Sequence, residues 1–466
     1  MKLSYIIVSL LAVLSGPHAR PLSEHGGTTT GPSLVDVPPA PAEIVEENRR
    51  EDLGITEWKL SNGISVILKP TDFKNDEVLF TAFSPGGHSL VPDEDFVAAA
   101  TAASVVLEGG VGAFSRIELR KLLAGRVVKV SPWIGELWEG ISGGASPKDL
   151  EVMFQWIYLC FTAPRKDSLA FLAYRERMRS FLRNRSASPE AAFHDTIQVT
   201  MAQHHRRARP WSEALLAEMD LGRSFEIYRE RFADAGDFTF IFVGNFDLRR
   251  IEPLVRTYLG GLPNVGRKET WRDVGMEPPK GVVEKTVRKG FEPKSLVQII
   301  FSGQFEWTSR NRYEIISLAD VLRIKLWETL RGGMGGIYRV GVRPSFSRYP
   351  DEEYYFAISF GCAPERVEEL TETVFAQFDS LKEVGPAEIY IAKVKEIQRR
   401  RWETGLRKNE FWLNALQVHY LYGEDPGNIL KYGELVGKLT PDAVRRAART
   451  YLDTGNYVKV VLYPEG

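Results

Sequence analysis

Cysteine is nearly missing from this chain. Only Cys160 and Cys362 occur in 466 residues, which excludes a disulfide framework and any Cys-x-x-Cys zinc or redox motif. Net charge is almost absent as well: the formal balance is −1, so no global field draws the chain to nucleic acid or to an anionic membrane. Histidine is scarce. The seven are His18, His25, His88, His194, His204, His205 and His419, and no two stand four apart, so no helix can present a pair of imidazole ligands one turn apart. A Gly-Lys-Ser/Thr phosphate loop is lacking, and no Gly-x-Ser-x-Gly elbow is expected to serve a serine nucleophile.

What is present is ample apolar material: 44% of the residues, enough for two or more packed cores. Met1–Gly16 carries one Lys and an apolar run of the length found in export signals, with Ala19 as a cleavage position. Residues 1–19 are therefore expected to be a signal peptide and the chain exported, to the periplasm. The run is too short for a membrane span, and no other segment is long and apolar enough for one. Residues 20–55 are expected to be a linker, because His25–Pro41 is rich in Gly, Thr, Pro and Ala and Glu43–Asp52 is charged.

From Thr56 the pattern becomes strand-like. Trp58–Leu60 and Ile64–Leu68 flank Asn62-Gly63, a strong hairpin signal. Strands and helices then follow without strict alternation, which points to an α+β sandwich rather than a doubly wound sheet. The order repeats. Phe83-Ser84-Pro85-Gly86 resembles Phe301-Ser302-Gly303 at an offset of 218, and Ile141–Pro147 resembles Ile358–Pro364 at 217. Phe232–Phe238 resembles Tyr451–Tyr457 at 219. Three matches in order at nearly one offset predict a tandem duplication. One unit covers residues 56–262 and the other 281–466, joined by a Pro/Gly-rich connector at Gly261–Gly281.

The stretch with most local character is Glu328–Val342, ETLRGGMGGIYRVGV. It runs from the end of an amphipathic helix through four glycines into a strand. Glycines there let the backbone turn sharply and approach another chain closely. Arg331 and Tyr338 bracket the turn, and a guanidinium and a phenol so placed can both donate to one backbone carbonyl. Spacing alone is equally served by a helix cap followed by a core strand.

Taken together, Trp58–Pro70 (WKLSNGISVILKP), Phe83–Gly87, Val243–Asp247 and Glu328–Val342 resemble the insulinase/pitrilysin zinc metallopeptidases, which include the mitochondrial processing peptidases. The resemblance covers about Thr56 to Gly466. It implies tandem two-layer α/β units, two to a half, with two halves closing like a clamshell on a peptide. One half holds zinc through an inverted His-x-x-Glu-His motif. The other half has no metal and supplies an Arg and a Tyr seven residues apart that hold substrate, which on this chain are Arg331 and Tyr338. The family's zinc helix falls at Asp95–Leu107, DFVAAATAASVVL, which has no histidine.

Other candidates have plainer readings. His88 is expected on a surface loop, and the cluster His204–Arg207 with Arg209 at a solvated helix end. Glu176, in the region of the family's carboxylate ligand, is expected to be a solvated helix charge. Gln398–Trp402 is expected on one long helix from Pro386 to about Leu421, with nearby glutamates cancelling its arginines.

The expectation is thus an α+β half-clamshell of two sandwich units, each a mainly antiparallel sheet with helices on one face. Its implied role is non-catalytic: Arg331 and Tyr338 bind peptide, no catalytic or metal site is self-contained, and zinc belongs to a homologous partner subunit in a heterodimer. The alternatives are a purely structural subunit, like the core proteins of respiratory complexes, and a detached C-terminal fragment of a single-chain protease.

Overall fold

The computed structural model describes residues 33–333 and 337–465, the side chains of 331–333, 337 and 338 excepted. The expected signal segment, residues 1–19, lies outside the described residues. The expected linker does not hold throughout. Leu34 and Val35 are buried in the first core, and Ile44–Arg50 forms a strand. A Gly/Pro-rich composition hid two apolar anchors, Leu34 being tied through its N–H to Gln155 Oε1 at 2.6 Å.

Seven strands form the first sheet: β1 (Ile44–Arg50), β2 (Ile55–Leu60), β3 (Ser65–Pro70), β4 (Val78–Pro85), β5 (Val128–Ile134), β6 (Trp138–Ala145) and β7 (Thr239–Gly244). Five form the second: β8 (Val282–Arg288), β9 (Ser295–Gln304), β10 (Ile337–Ser347), β11 (Glu353–Cys362) and β12 (Tyr457–Tyr463). Their orders are β1-β2-β3-β7-β4-β6-β5 and β10-β11-β9-β12-β8. Read from β3 and from β8, the two contain the same five-strand core: one parallel pair, then three antiparallel pairs. The hairpin read at Asn62-Gly63 joins β2 to β3, with Gly63 at φ 89° in the region that favours glycine.

The longer helices also recur in order. In the first unit they are α1 (Phe96–Gly109), α2 (Leu150–Thr162), α3 (Ser168–Ala187), α4 (Pro189–Met201) and α5 (Leu221–Arg231). In the second they are α6 (Ser309–Trp327), α7 (Val367–Glu383), α8 (Glu388–Gly405), α9 (Asn409–Tyr422) and α10 (Pro441–Tyr451). The single helix expected from Pro386 to Leu421 is therefore two. The chain turns at Leu406–Lys408, where Trp412 Nε1 donates to the Leu406 carbonyl at 3.0 Å and Gly405 lies so close to Phe411 that a Cβ would sit 2.7 Å from its ring.

Strand pairing corrects one of the three repeat matches. Phe83 pairs with Thr239, whereas Phe301 pairs with Tyr457, and the two phenylalanines face opposite sides of their sheets. The residue equivalent to Phe83 is Ile300, one position earlier. A slip of one residue in a strand exchanges its faces, so the burial pattern settles the register.

Each unit packs its own helices on one face of its sheet. The other face is covered by the neighbour. Trp412 and Leu416 of α9 pack on Ile67, Phe83, Ile241 and Val243 of the first sheet. Phe193, Ile197 and Met201 of α4 pack on Ile300, Val458, Val460 and Leu462 of the second. Both helices present residues four apart, the spacing of one helical stripe. The two units thus clasp each other reciprocally. Among the described residues no helix is long and apolar enough to cross a membrane.

Candidate functional site

The glycine-rich stretch joins α6 to β10, the edge strand of the second sheet. After Trp327 the helix widens into a π-helical turn, Glu328–Gly333, which carries Arg331; β10 then starts at Ile337. Tyr338 is the second residue of β10, between the pairs Ile337↔Cys362 and Arg339↔Gly361, where the register shifts as in a bulge. The side chains of Arg331 and Tyr338 lie outside the described residues. Their backbones belong to two elements, the π-helical turn and the start of β10.

Both of these elements are held. Glu328 accepts from Tyr390 Oη at 2.7 Å and from Lys393 Nζ at 3.0 Å, both on α8. The Tyr390 hydroxyl, ahead of the Lys393 ammonium, holds the Glu328 carboxyl below its usual range. On the strand side, Arg323 Nη2 donates to the Val342 carbonyl at 2.7 Å and Nη1 donates to Asp320 Oδ1 at 2.6 Å. Asp320 also accepts from Gln398 Nε2 at 3.1 Å, and Gln398 is fully buried. Its amide oxygen accepts from Tyr313 Oη at 2.7 Å. Burial pushes the Tyr313 hydroxyl up to about 12. The result is a polar chain from the core of α8, through α6, to the middle of β10. A network whose members are all bonded fixes geometry rather than merely tolerating burial. Sequence reading missed Arg323, Asp320 and Gln398, because nothing local marks a polar residue as buried and paired across helices.

In the first unit the corresponding helix is α1. Its buried residues include Ala98, Ala99, Ala102, Ala103 and Thr101, whose hydroxyl donates back to the Val97 carbonyl at 2.7 Å. Glu108, at its end, is paired with Arg116 and with Arg177. Glu176 is exposed and paired with Arg179, as expected. Among the described residues no three His, Cys, Asp or Glu side chains converge as a metal site would require. α1 itself carries no histidine and a single carboxylate, Glu108.

The loop between β4 and α1 differs from expectation. His88 is not a free surface residue: its ring packs edge-on to Phe96 at 5.2 Å, and its Nδ1 is buried without a partner. Burial first, and then the Arg207 charge, push it down to about 3, so the imidazole is neutral. Arg207, expected at a solvated helix end, has a side chain only 1% exposed. It donates to Asp93 Oδ1 at 2.7 Å, to the His88 carbonyl at 2.9 Å and to the Val91 carbonyl at 2.6 Å. Beside this loop Glu139 is buried and accepts from the Gly87 N–H. Burial pushes its carboxyl up to about 8, against the opposing pull of that N–H and of Arg231. Gly140-Ile141-Ser142-Gly143-Gly144 does spell Gly-x-Ser-x-Gly, a run that the reading from sequence passed over. It lies inside β6, paired to β4 and β5, and not at a strand-to-helix turn, so it is no nucleophile elbow. Cys160 and Cys362 are both free and buried.

Residues 224–397 match the family described as the peptidase M16 inactive domain. The chain carries a peptidase M16 inactive domain. The matched span includes α6, the glycine-rich stretch, β10, β11, α7 and half of α8, so the insulinase/pitrilysin resemblance stands, and the match is consistent with a non-catalytic half. A zinc protease PQQL-like protein of Arabidopsis thaliana is 26% identical over 93% of this chain and 45% of its own length. The periplasmic protease PqqL of Escherichia coli has the same fold, with a TM-score of 0.80 at 21% identity, over 98% of this chain and 50% of that one. The first half of that PqqL, solved by itself, gives a TM-score of 0.71 at 11% identity over 90% of this chain and 93% of that one. This inactive-domain chain spans about half the length of the curated relatives it matches.

Proposed function

We propose that this chain is the non-catalytic half of an insulinase-type metallopeptidase, holding a peptide for a homologous half that bears the zinc. The observation that carries the reading is the tethered turn between α6 and β10. Arg331 belongs to the π-helical turn Glu328–Gly333 and Tyr338 to the start of β10, and Glu328 and Arg323 tie these two elements to α8 and to the middle of β10. In this reading both side chains donate hydrogen bonds to the peptide backbone near the scissile carbonyl. A donor aimed at a developing oxyanion is worth about 2–4 kcal/mol of transition-state stabilisation. In this reading hydrolysis belongs to the partner, since α1 carries no histidine and its one carboxylate, Glu108, is held by Arg116 and Arg177.

Two further findings support the reading. The relatives are about twice the length of this chain, as a protein of two halves would be. The fold also agrees better with half of the whole PqqL chain than with its isolated first half, which favours likeness to the second. The periplasmic relative and the apolar start at Met1–Leu14 support export.

The test is a complex of this chain with a zinc-bearing homologous half. Tyr338→Phe should lower peptide turnover by about 100-fold, with assembly measured by sedimentation unchanged. Undiminished turnover would remove Tyr338 from the mechanism, and a partner without His-x-x-Glu-His would favour a purely structural subunit.

A further inference from the structure

The two sheets share five strands, but the first has two more. β2 and β1 extend it beyond β3, while the second sheet stops at β8. The residues of β3 and β8 correspond. Ile67 pairs with Ile241 in β7, and Lys285 pairs with Val460 in β12; Ile241 and Val460 both face the helix lent by the other unit. Ile67 and Lys285 are therefore equivalent. In the first unit Glu57 of β2 lies opposite Ile67 and accepts from the Tyr420 hydroxyl of α9. The slot between sheet edge and helix is filled there by β2, whose Ile55, with Leu53 just before the strand, packs on Trp412 and Leu416.

In the second unit the same slot is open. A cavity of about 370 Å³ lies beside β8, lined by Asp195, Thr196, Val199 and Thr200 of α4, by His204 and by Lys285. Lys285 is exposed and has no ion-pair partner among the described residues. The edge itself is unpaired among the described residues. Gly281 accepts from the Tyr457 N–H at 3.2 Å and Lys289 donates to the Tyr463 carbonyl at 3.0 Å, so the odd-numbered residues turn their backbone towards β12. Val282, Glu284, Thr286 and Arg288 turn theirs outward, as a row of free N–H and C=O groups.

From this we infer that β8 and α4 form a docking slot for an extended segment of a partner chain. The segment adds antiparallel to β8 and sets a carboxylate opposite Lys285. Strand addition of this kind takes affinity from main-chain bonds and specificity from alternate side chains. A second copy of this chain fits poorly. Lys285 is the midpoint of Val282–Arg288, so two copies pairing antiparallel would oppose two ammonium groups across the strands. The inference is independent of the role given to Arg331 and Tyr338.

The chain supplies its own probe. The peptide Gly54–Ser61, GITEWKLS, is the strand that fills the equivalent slot and carries Glu57 in the required position. Labelled with a fluorophore and titrated into the full chain, it should bind saturably by anisotropy. Thr286→Pro removes an outward N–H without touching the ladder to β12 and should abolish binding. Lys285→Glu should weaken binding by about tenfold, and the peptide with Glu57→Lys should recover it. A peptide N-methylated at Trp58, whose N–H faces the edge, should not bind, which covers the case of a variant protein that fails to fold. Absence of saturable binding, or equal binding of the methylated peptide, would overturn the inference. So would a wild-type dimer that Thr286→Pro dissociates, since a second copy would then hold the edge.

Discussion

Replacing Arg207 by Met should destabilise the protein by about 2–4 kcal/mol, and the structure sets that range. Three charge-assisted hydrogen bonds are lost, each worth about 1.5–3 kcal/mol gross, along with the stacking of the guanidinium over Phe96 at 5.7 Å. Two facts hold the loss down. The Val91 carbonyl keeps a bond from Arg272 Nη2 at 3.1 Å, and the His88 carbonyl keeps one from the Val91 N–H at 3.3 Å, so neither is orphaned. Removing a guanidinium that is 1% exposed also relieves several kcal/mol of desolvation. Met is chosen over Ala because it keeps most of the volume, so that a cavity does not supply the effect. Asp93, by contrast, is 43% exposed, and water can replace its partner. Asp93→Asn should therefore cost about 0–1 kcal/mol. The assay is urea unfolding followed by tryptophan fluorescence, with the midpoint shift read at constant slope. If the Met variant unfolds within about 0.5 kcal/mol of wild type, or if Asp93→Asn costs as much, the pinning of the β4–α1 loop by Arg207 is wrong.

Two further outcomes follow from packing and charge. Glu139 titrates near 8 in the folded protein against 4.5 as its ordinary value, so folding favours its protonated form. That contribution is complete below the ordinary value and is lost as pH rises towards 8. Glu139→Gln keeps the neutral acceptor, and should be more stable than wild type by about 3–4 kcal/mol at pH 7.5 and no different near pH 4, in paired unfolding curves. Trp412→Ala should cost about 3–5 kcal/mol, because the indole is 5% exposed, bonds the Leu406 carbonyl at 3.0 Å and fills the seam between the units; a loss below about 1 kcal/mol would deny α9 its part in holding them together.

Much of this architecture could be read from residues. Asn62-Gly63 declared a hairpin, because φ 89° at Gly63 costs glycine little. The repeat declared the duplication, since three short matches kept one order. What escaped was of two kinds. Register escaped by a single residue at Phe83, where two aromatic strand ends look alike and only the buried face tells them apart. Buried polar groups escaped altogether: Arg207 reads as one more charge in a basic run, and Gln398 as one more polar residue on a helix. The break between α8 and α9 could have been found, because its counterpart Ser188-Pro189 separates α3 from α4 at the matching place in the first copy. The pair Arg331 and Tyr338 was visible only through family likeness, as seven-residue spacing alone selects nothing.

The reciprocal clasp of α4 and α9 has a consequence for how the chain gains and loses its shape. Severed at the connector, the first unit would keep its own helices but leave Ile67, Phe83, Ile241 and Val243 bare to water, and the second would strip Ile300, Val458 and Val460 in the same way. Neither product would be an independent domain, and both would tend to aggregate. The two copies are separate in ancestry but not in thermodynamics: melting one withdraws the roof of the other, so they should go together in one transition.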